Sequence, residues 1–175
     1  MDKTRLIDFA TLTLRDALDL ATLVEEEAKE RYGEFADQMD AHHNPEAATF
    51  FRFMLKVETI HEGKLATRRM SLFGDAPRNV RREMIFDIEA PEYDEVNASM
   101  TVRHALQASL RAEQKAHAFF EAALARVTDP EARVLFVELR DEEFEHQRLV
   151  EKELAKLPPD APISGDAFAD DPVAL

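Results

Sequence analysis

Apolar residues recur at steps of three and four through four long stretches of the chain, at about 13 to 42, 45 to 73, 101 to 127 and 130 to 157. That spacing gathers the apolar side chains into one stripe and leaves the rest of a helical surface polar, so each stretch is predicted to be a helix with one buried seam. On the first helix, A, the seam runs Leu14, Leu18, Ala21, Glu25, Ala28, Tyr32, Phe35 and Met39. On B it runs Ala47, Phe51, Met54, Glu58, His61 and Leu65. On C it runs Val102, Leu106, Ser109, Glu113, Ala116, Phe120, Ala123 and Val127, and on D, Ala132, Phe136, Leu139, Glu143, His146 and Val150. Every seam holds a glutamate, and those of B and D end their shared pattern in Glu-x-x-His.

The resemblance between B and D goes beyond that motif. Residues 44 to 61 and 129 to 146 align without a gap over eighteen positions. Each copy begins with a capping side chain, Asn44 or Asp129, followed by a proline at the first helical position, where the missing N–H costs nothing. On C, Glu113, Ala116 and Phe120 echo Glu25, Ala28 and Tyr32 of A. The chain therefore reads as an A–B hairpin followed by a C–D hairpin of the same design.

Six of the eight prolines fall in 74 to 100 and 158 to 175, stretches without helical periodicity. The first reads as a connector, with a short helix expected around 78 to 87, and the second as an acidic, proline-rich tail. A connector of about 27 residues can extend to ~90 Å, against roughly 40 Å for each helix. It can cross the bundle from end to end and leave B and C parallel. The expected fold is all-α, a four-helix bundle with one long B-to-C crossover, occupying 1 to 157.

Composition narrows the chemistry. With no cysteine there are no disulfides, thiolate nucleophiles, iron–sulfur clusters or Cys-based zinc sites, so a metal would be held by His and carboxylate. A net charge of −14 repels nucleic acid and anionic lipid and favours cations. The N-terminal stretch lacks a basic start followed by an apolar run, and nowhere are there enough consecutive apolar residues to span a bilayer. A soluble, cytoplasmic protein without membrane insertion is expected.

Glutamate is rarely buried unless paired or bound to metal. Four seam glutamates brought together at mid-bundle carry four negative charges, and no Lys or Arg occupies the neighbouring seam positions; two divalent cations would cancel them. In Glu-x-x-His both side chains share one helical face and can reach one metal centre. Two such helices facing each other supply bridging carboxylates from Glu58 and Glu143 and one histidine per ion, His61 and His146. Glu25 and Glu113 become the terminal carboxylates. The mixed oxygen and nitrogen set with open positions suits iron or manganese, with zinc as a substitute. The internal alignment selects Glu143 over its neighbours Glu142 and Glu145, which read as solvated. Tyr32 is either a hydrogen-bond donor to a ligand carboxylate or a core residue. His117, one turn beyond Glu113, reads as a core or boundary residue with a supporting role as the alternative, and His42 and His43 as exposed turn residues.

This arrangement resembles the ferritin-like di-iron carboxylate proteins, in which two helices give one Glu each and the other two give Glu-x-x-His. The run "EEEAKERY", with Tyr32 seven residues after Glu25, and the long B-to-C connector are most similar to the rubrerythrin di-iron domain. That resemblance covers helices A to D. It implies two iron ions cycling between Fe2+ and Fe3+ and reduction of hydrogen peroxide or dioxygen; the prolines after D, which cannot continue into a fifth helix, favour a homodimer over a closed storage shell. Rubrerythrins usually carry a C-terminal rubredoxin domain with Cys-ligated iron; without cysteine here, an external electron donor is implied. They also carry an extra ligand glutamate three residues after the helix C ligand, where this chain has Ala116, which leaves a six-ligand set closer to bacterioferritin. The same domain occurs fused to membrane iron transporters, so iron binding, ferroxidase activity, storage or handling beside such a transporter is the alternative reading.

Overall fold

A computed structural model describes residues 7–85 and 87–158. Among them lie four long helices, α1 (Leu14–Ala41), α2 (Pro45–Phe73), α3 (Val102–Leu124) and α4 (Pro130–Leu154), and no strand. The expected fold is present: α1 packs on α2, α3 packs on α4, and the two hairpins face each other.

Local chemistry sets where the helices start. Thr13 accepts a hydrogen bond from the Asp16 backbone N–H while the Asp16 carboxylate accepts one from the Thr13 N–H, a reciprocal box that opens α1. The Asp129 carboxylate takes the N–H groups of Glu131 and Ala132, both at 2.9 Å, ahead of Pro130. Asn44 caps α2 through the Ala47 N–H, and its amide donates across the bundle to the carbonyls of Ala98 and Met100. The start of α2 is thereby tied to the end of the connector.

Helices α3 and α4 stop three residues short of the expected 127 and 157. In both, arginines take the terminal carbonyls that a further turn would have used: Arg133 donates to Leu124 O, and Arg103 to the carbonyls of Leu154 and Leu157. The tail from 159 to 175 lies outside the described residues.

The seams meet as the spacing predicts, but the apolar core forms two blocks. One joins the start of α1 and α4 with the end of α3, around Leu18, Leu20, Phe120 and Phe136, and takes in Ile7, Phe9 and Leu12 from before α1. The other joins the end of α1 with the start of α2 and α3, around Tyr32, Phe35, Phe51 and Met54. The layer of seam glutamates and histidines lies between them.

The crossover lies along α1 and α3. In place of the short helix expected at 78 to 87 there is one 3-10 turn at Arg82–Met84, with a second at Tyr93–Glu95. The chain is pinned to α1 too often to coil: Arg78 pairs with Glu26, Arg82 with Glu30, and Asn79 N–H donates to Asp19. Asp19, fully buried, also holds Arg69 of α2 at 2.6 Å. Farther on, Arg111 and Lys115 of α3 hold Glu95 and Glu92. No helix among the described residues is long and apolar enough to cross a membrane.

Candidate metal centre

Glu25, Glu58, Glu113 and Glu143 are all buried, one from each helix. His61 and His146 keep their side chains 15% and 13% exposed, so each imidazole has one edge toward solvent. The two rings stack, with centroids 4.7 Å apart and planes 22° from parallel. Ile60 and Phe144, close to them in sequence, are exposed.

Pairing within the cluster follows the two hairpins. His146 Nδ1 lies 3.0 Å from Glu113 Oε2 and 3.8 Å from Glu143 Oε2. On the other side His61 Nδ1 lies 4.0 Å from Glu25 Oε1. Ligand atoms within 4.8 Å of one another occur in three sets: Glu58 with His61 and His146, Glu113 with Glu143 and His146, and Glu25 with Glu58 and Glu89. All six residues singled out from the sequence come together.

Glu89 was not among them. It comes from the crossover, is 1% exposed, and stands beside Glu25 and Glu58. The only sequence signal for it is a glutamate set between Ile88 and Ala90-Pro91, a short apolar patch in an otherwise charged connector.

Of the other candidates, Tyr32 satisfies both readings at once. It is fully buried against Phe51, and its hydroxyl donates to Glu113 Oε1 at 3.4 Å. His117 stays outside the ligand sets, half-buried with its ring 6.4 Å from that of Phe144. Glu142, Glu145, His42 and His43 are exposed.

The electrostatics are those of a crowded acidic site. Burial, reinforced by neighbouring carboxylates, pushes Glu25, Glu89 and Glu143 well above the ordinary carboxylate range. Burial and the charge of Glu113 raise Glu58 to about 8. Burial and the adjacent His146 lower His61 to about 4, which keeps that imidazole neutral with a lone pair to give. Burial works against protonation of His146, but its hydrogen bond to Glu113 and that residue's charge outweigh it, and the net shift is upward. Glu25 Oε2, both oxygens of Glu58, both of Glu89, and Glu143 Oε2 are buried with no amide, hydroxyl or cationic donor; the carboxyls pair with one another instead, Glu58 with Glu25 and Glu89, and Glu143 with Glu113. Carboxyls crowded in this way hold protons only for want of a better partner, and divalent cations, which displace those protons and take oxygen and imidazole nitrogen as ligands, fit the set.

The family profile for rubrerythrin matches residues 16–154. The crystal structure of an uncharacterized conserved protein from Magnetospirillum magnetotacticum MS-1 is similar, at 32% sequence identity and a TM-score of 0.66, over 86% of this chain and 99% of that one. No curated protein matches the chain.

Proposed function

The chain belongs to the rubrerythrin family, and we propose that it works there as a di-iron oxidoreductase that reduces hydrogen peroxide, with dioxygen as the other oxidant. What carries the reading is the cluster of buried carboxyls from four helices, with oxygens on Glu25, Glu58 and Glu143 that no amide, hydroxyl or cationic donor reaches, gathered beside the imidazoles of His61 and His146. Metal-free, that set leaves polar atoms stripped of water at a cost of order kcal/mol each. In this reading Glu58 and Glu143 would be shared between two ions, Glu25 and His61 would hold one, and Glu113 and His146 would hold the other. Iron suits the mixed donor set best, with manganese or zinc as substitutes.

Bound iron would supply the redox equivalents and the open coordination positions. The rest falls to the chain. Tyr32 keeps its proton, because burial and the charges of Glu113 and Glu58 hold its pKa well above the usual phenol value, and so it stays a donor that orients Glu113. The apolar blocks on either side, with Phe51, Met54, Phe136 and Leu139, keep bulk water from the carboxylates. His61 and His146 are the site residues left partly exposed, and we assign to that face the docking of an external electron donor. Residues 1 to 157 would form the di-iron domain and 158 to 175 a tail, in a cytoplasmic homodimer.

Anaerobic loading with Fe(II), followed by stopped-flow absorbance against peroxide and then oxygen, tests the reading. Oxidation by peroxide should be the faster by a wide margin and should repeat on re-reduction. Preference for oxygen, with the oxidised iron retained or handed on, would favour an iron-handling or ferroxidase role beside a membrane iron transporter.

A further inference from the structure

Glu89 has no place in a six-ligand scheme, yet it occupies the same buried layer. We propose that this crossover glutamate is a seventh ligand, coordinating the ion held by Glu25 and His61, so that metal binding also fastens the crossover to the bundle. The inference rests on the dinuclear reading above.

Three observations point to a ligand. First, Glu89 is 1% exposed and no backbone, hydroxyl or cationic donor reaches either of its carboxylate oxygens, whose hydrogen-bonding contact is with the Glu58 carboxyl. A glutamate buried for structural reasons would be expected to find a donor. Second, carboxylate oxygens of Glu25, Glu58 and Glu89 lie within 4.8 Å of one another, in a set drawn from three different segments of the chain. Third, the backbone on either side is held with unusual care. Arg31 of α1, 3% exposed, donates to Pro91 O at 2.7 Å and pairs with Asp87 at 3.0 Å, bracketing Glu89 from both sides. Glu27 accepts the Asp87 N–H at 3.0 Å, and Lys115 of α3 donates to Ala90 O at 3.0 Å. Asp87 itself adopts a left-handed backbone, φ 58°, which a non-glycine residue rarely takes without support from its surroundings. Burying an Arg–Glu pair and a left-handed aspartate to fix five residues makes sense if the residue between them must be aimed.

A protonated Glu89 donating to Glu25 or Glu58 is the competing role, and Glu89→Gln separates the two. Glutamine keeps an N–H to donate but binds a cation poorly. Full-length protein stripped with chelator is titrated anaerobically with Co(II) by calorimetry, alongside E89Q and E58Q. Wild type should take up two ions per chain. E89Q should weaken one of them by about tenfold or more, the scale on which ligand and supporting groups act on metal affinity, and spare the other. Hydrogen exchange gives a second readout: Co(II) should slow exchange of the amides at 87 to 90 in wild type, and in E89Q it should not. If E89Q binds both ions as wild type does and the crossover is protected equally, Glu89 is a hydrogen-bond donor and the inference is overturned. If wild type binds no ion, or E58Q binds two as tightly as wild type, the dinuclear reading itself fails and takes the inference with it.

Discussion

Replacing Glu58 by glutamine should stabilise the metal-free protein, and increasingly so as pH rises. In the fold Glu58 holds its proton to about pH 8, whereas the unfolded chain releases it near the ordinary value of 4.5. A carboxyl whose folded pKa is raised stabilises most below the unfolded pKa, and that contribution is lost as pH rises toward the folded value. The slope is about 1.4 kcal/mol per pH unit for one proton. His61 has the opposite sign, because its folded pKa is lowered to about 4, but its influence ends near pH 6.5, its ordinary value. Between pH 6.5 and 8 Glu58 is therefore free of that offset, and over this window it should remove roughly 2 kcal/mol of stability from wild type. His146 titrates in both proteins and largely cancels in the difference. Urea unfolding in chelator at pH 6.5, 7.25 and 8 should show E58Q gaining on wild type by about 2 kcal/mol across the range. A constant or shrinking difference would refute the reasoning, because it would mean Glu58 is not held as a buried, proton-retaining carboxyl.

Metal addition should reverse the comparison: Fe(II) or Zn(II) should raise the melting temperature of wild type markedly, while the E58Q/E143Q double mutant, at least as stable when metal-free, should gain little. Asp19→Ala leaves the buried Arg69 guanidinium bonded to the carbonyls of Gly74 and Ala76 but without its counter-charge, and should cost about 3 kcal/mol in chemical denaturation, with the number of bound ions unchanged. Light scattering should give a mass near twice the 20.0 kDa chain; a shell of many chains would promote the storage reading.

The parts of the fold that repeat were legible in the sequence. A seam at helical spacing needs only local regularity, so the burial of Leu18, Phe51, Phe120 and Phe136 and the convergence of six chemistry-bearing residues followed from it. The matched caps at Asn44 and Asp129 were legible for the same reason. Glu89 was not, because its place depends on contacts between residues about sixty positions apart, Arg31 with Pro91 and Glu27 with Asp87, that leave no period in the connector. The missing helix at 78 to 87 has the same cause, since Arg78 and Arg82 are drawn out along α1 to reach Glu26 and Glu30. The shortened ends of α3 and α4 depend on Arg133 and Arg103, whose targets only the packed chain brings within reach.

Anomalous diffraction at the iron edge, from crystals grown anaerobically with Fe(II), tests the central claim most directly. Two peaks about 3.5 to 4 Å apart, the usual spacing of dinuclear sites, should lie among Glu25, Glu58, His61, Glu113, Glu143 and His146. A single ion there, or ions bound elsewhere with this cluster empty, would contradict the account.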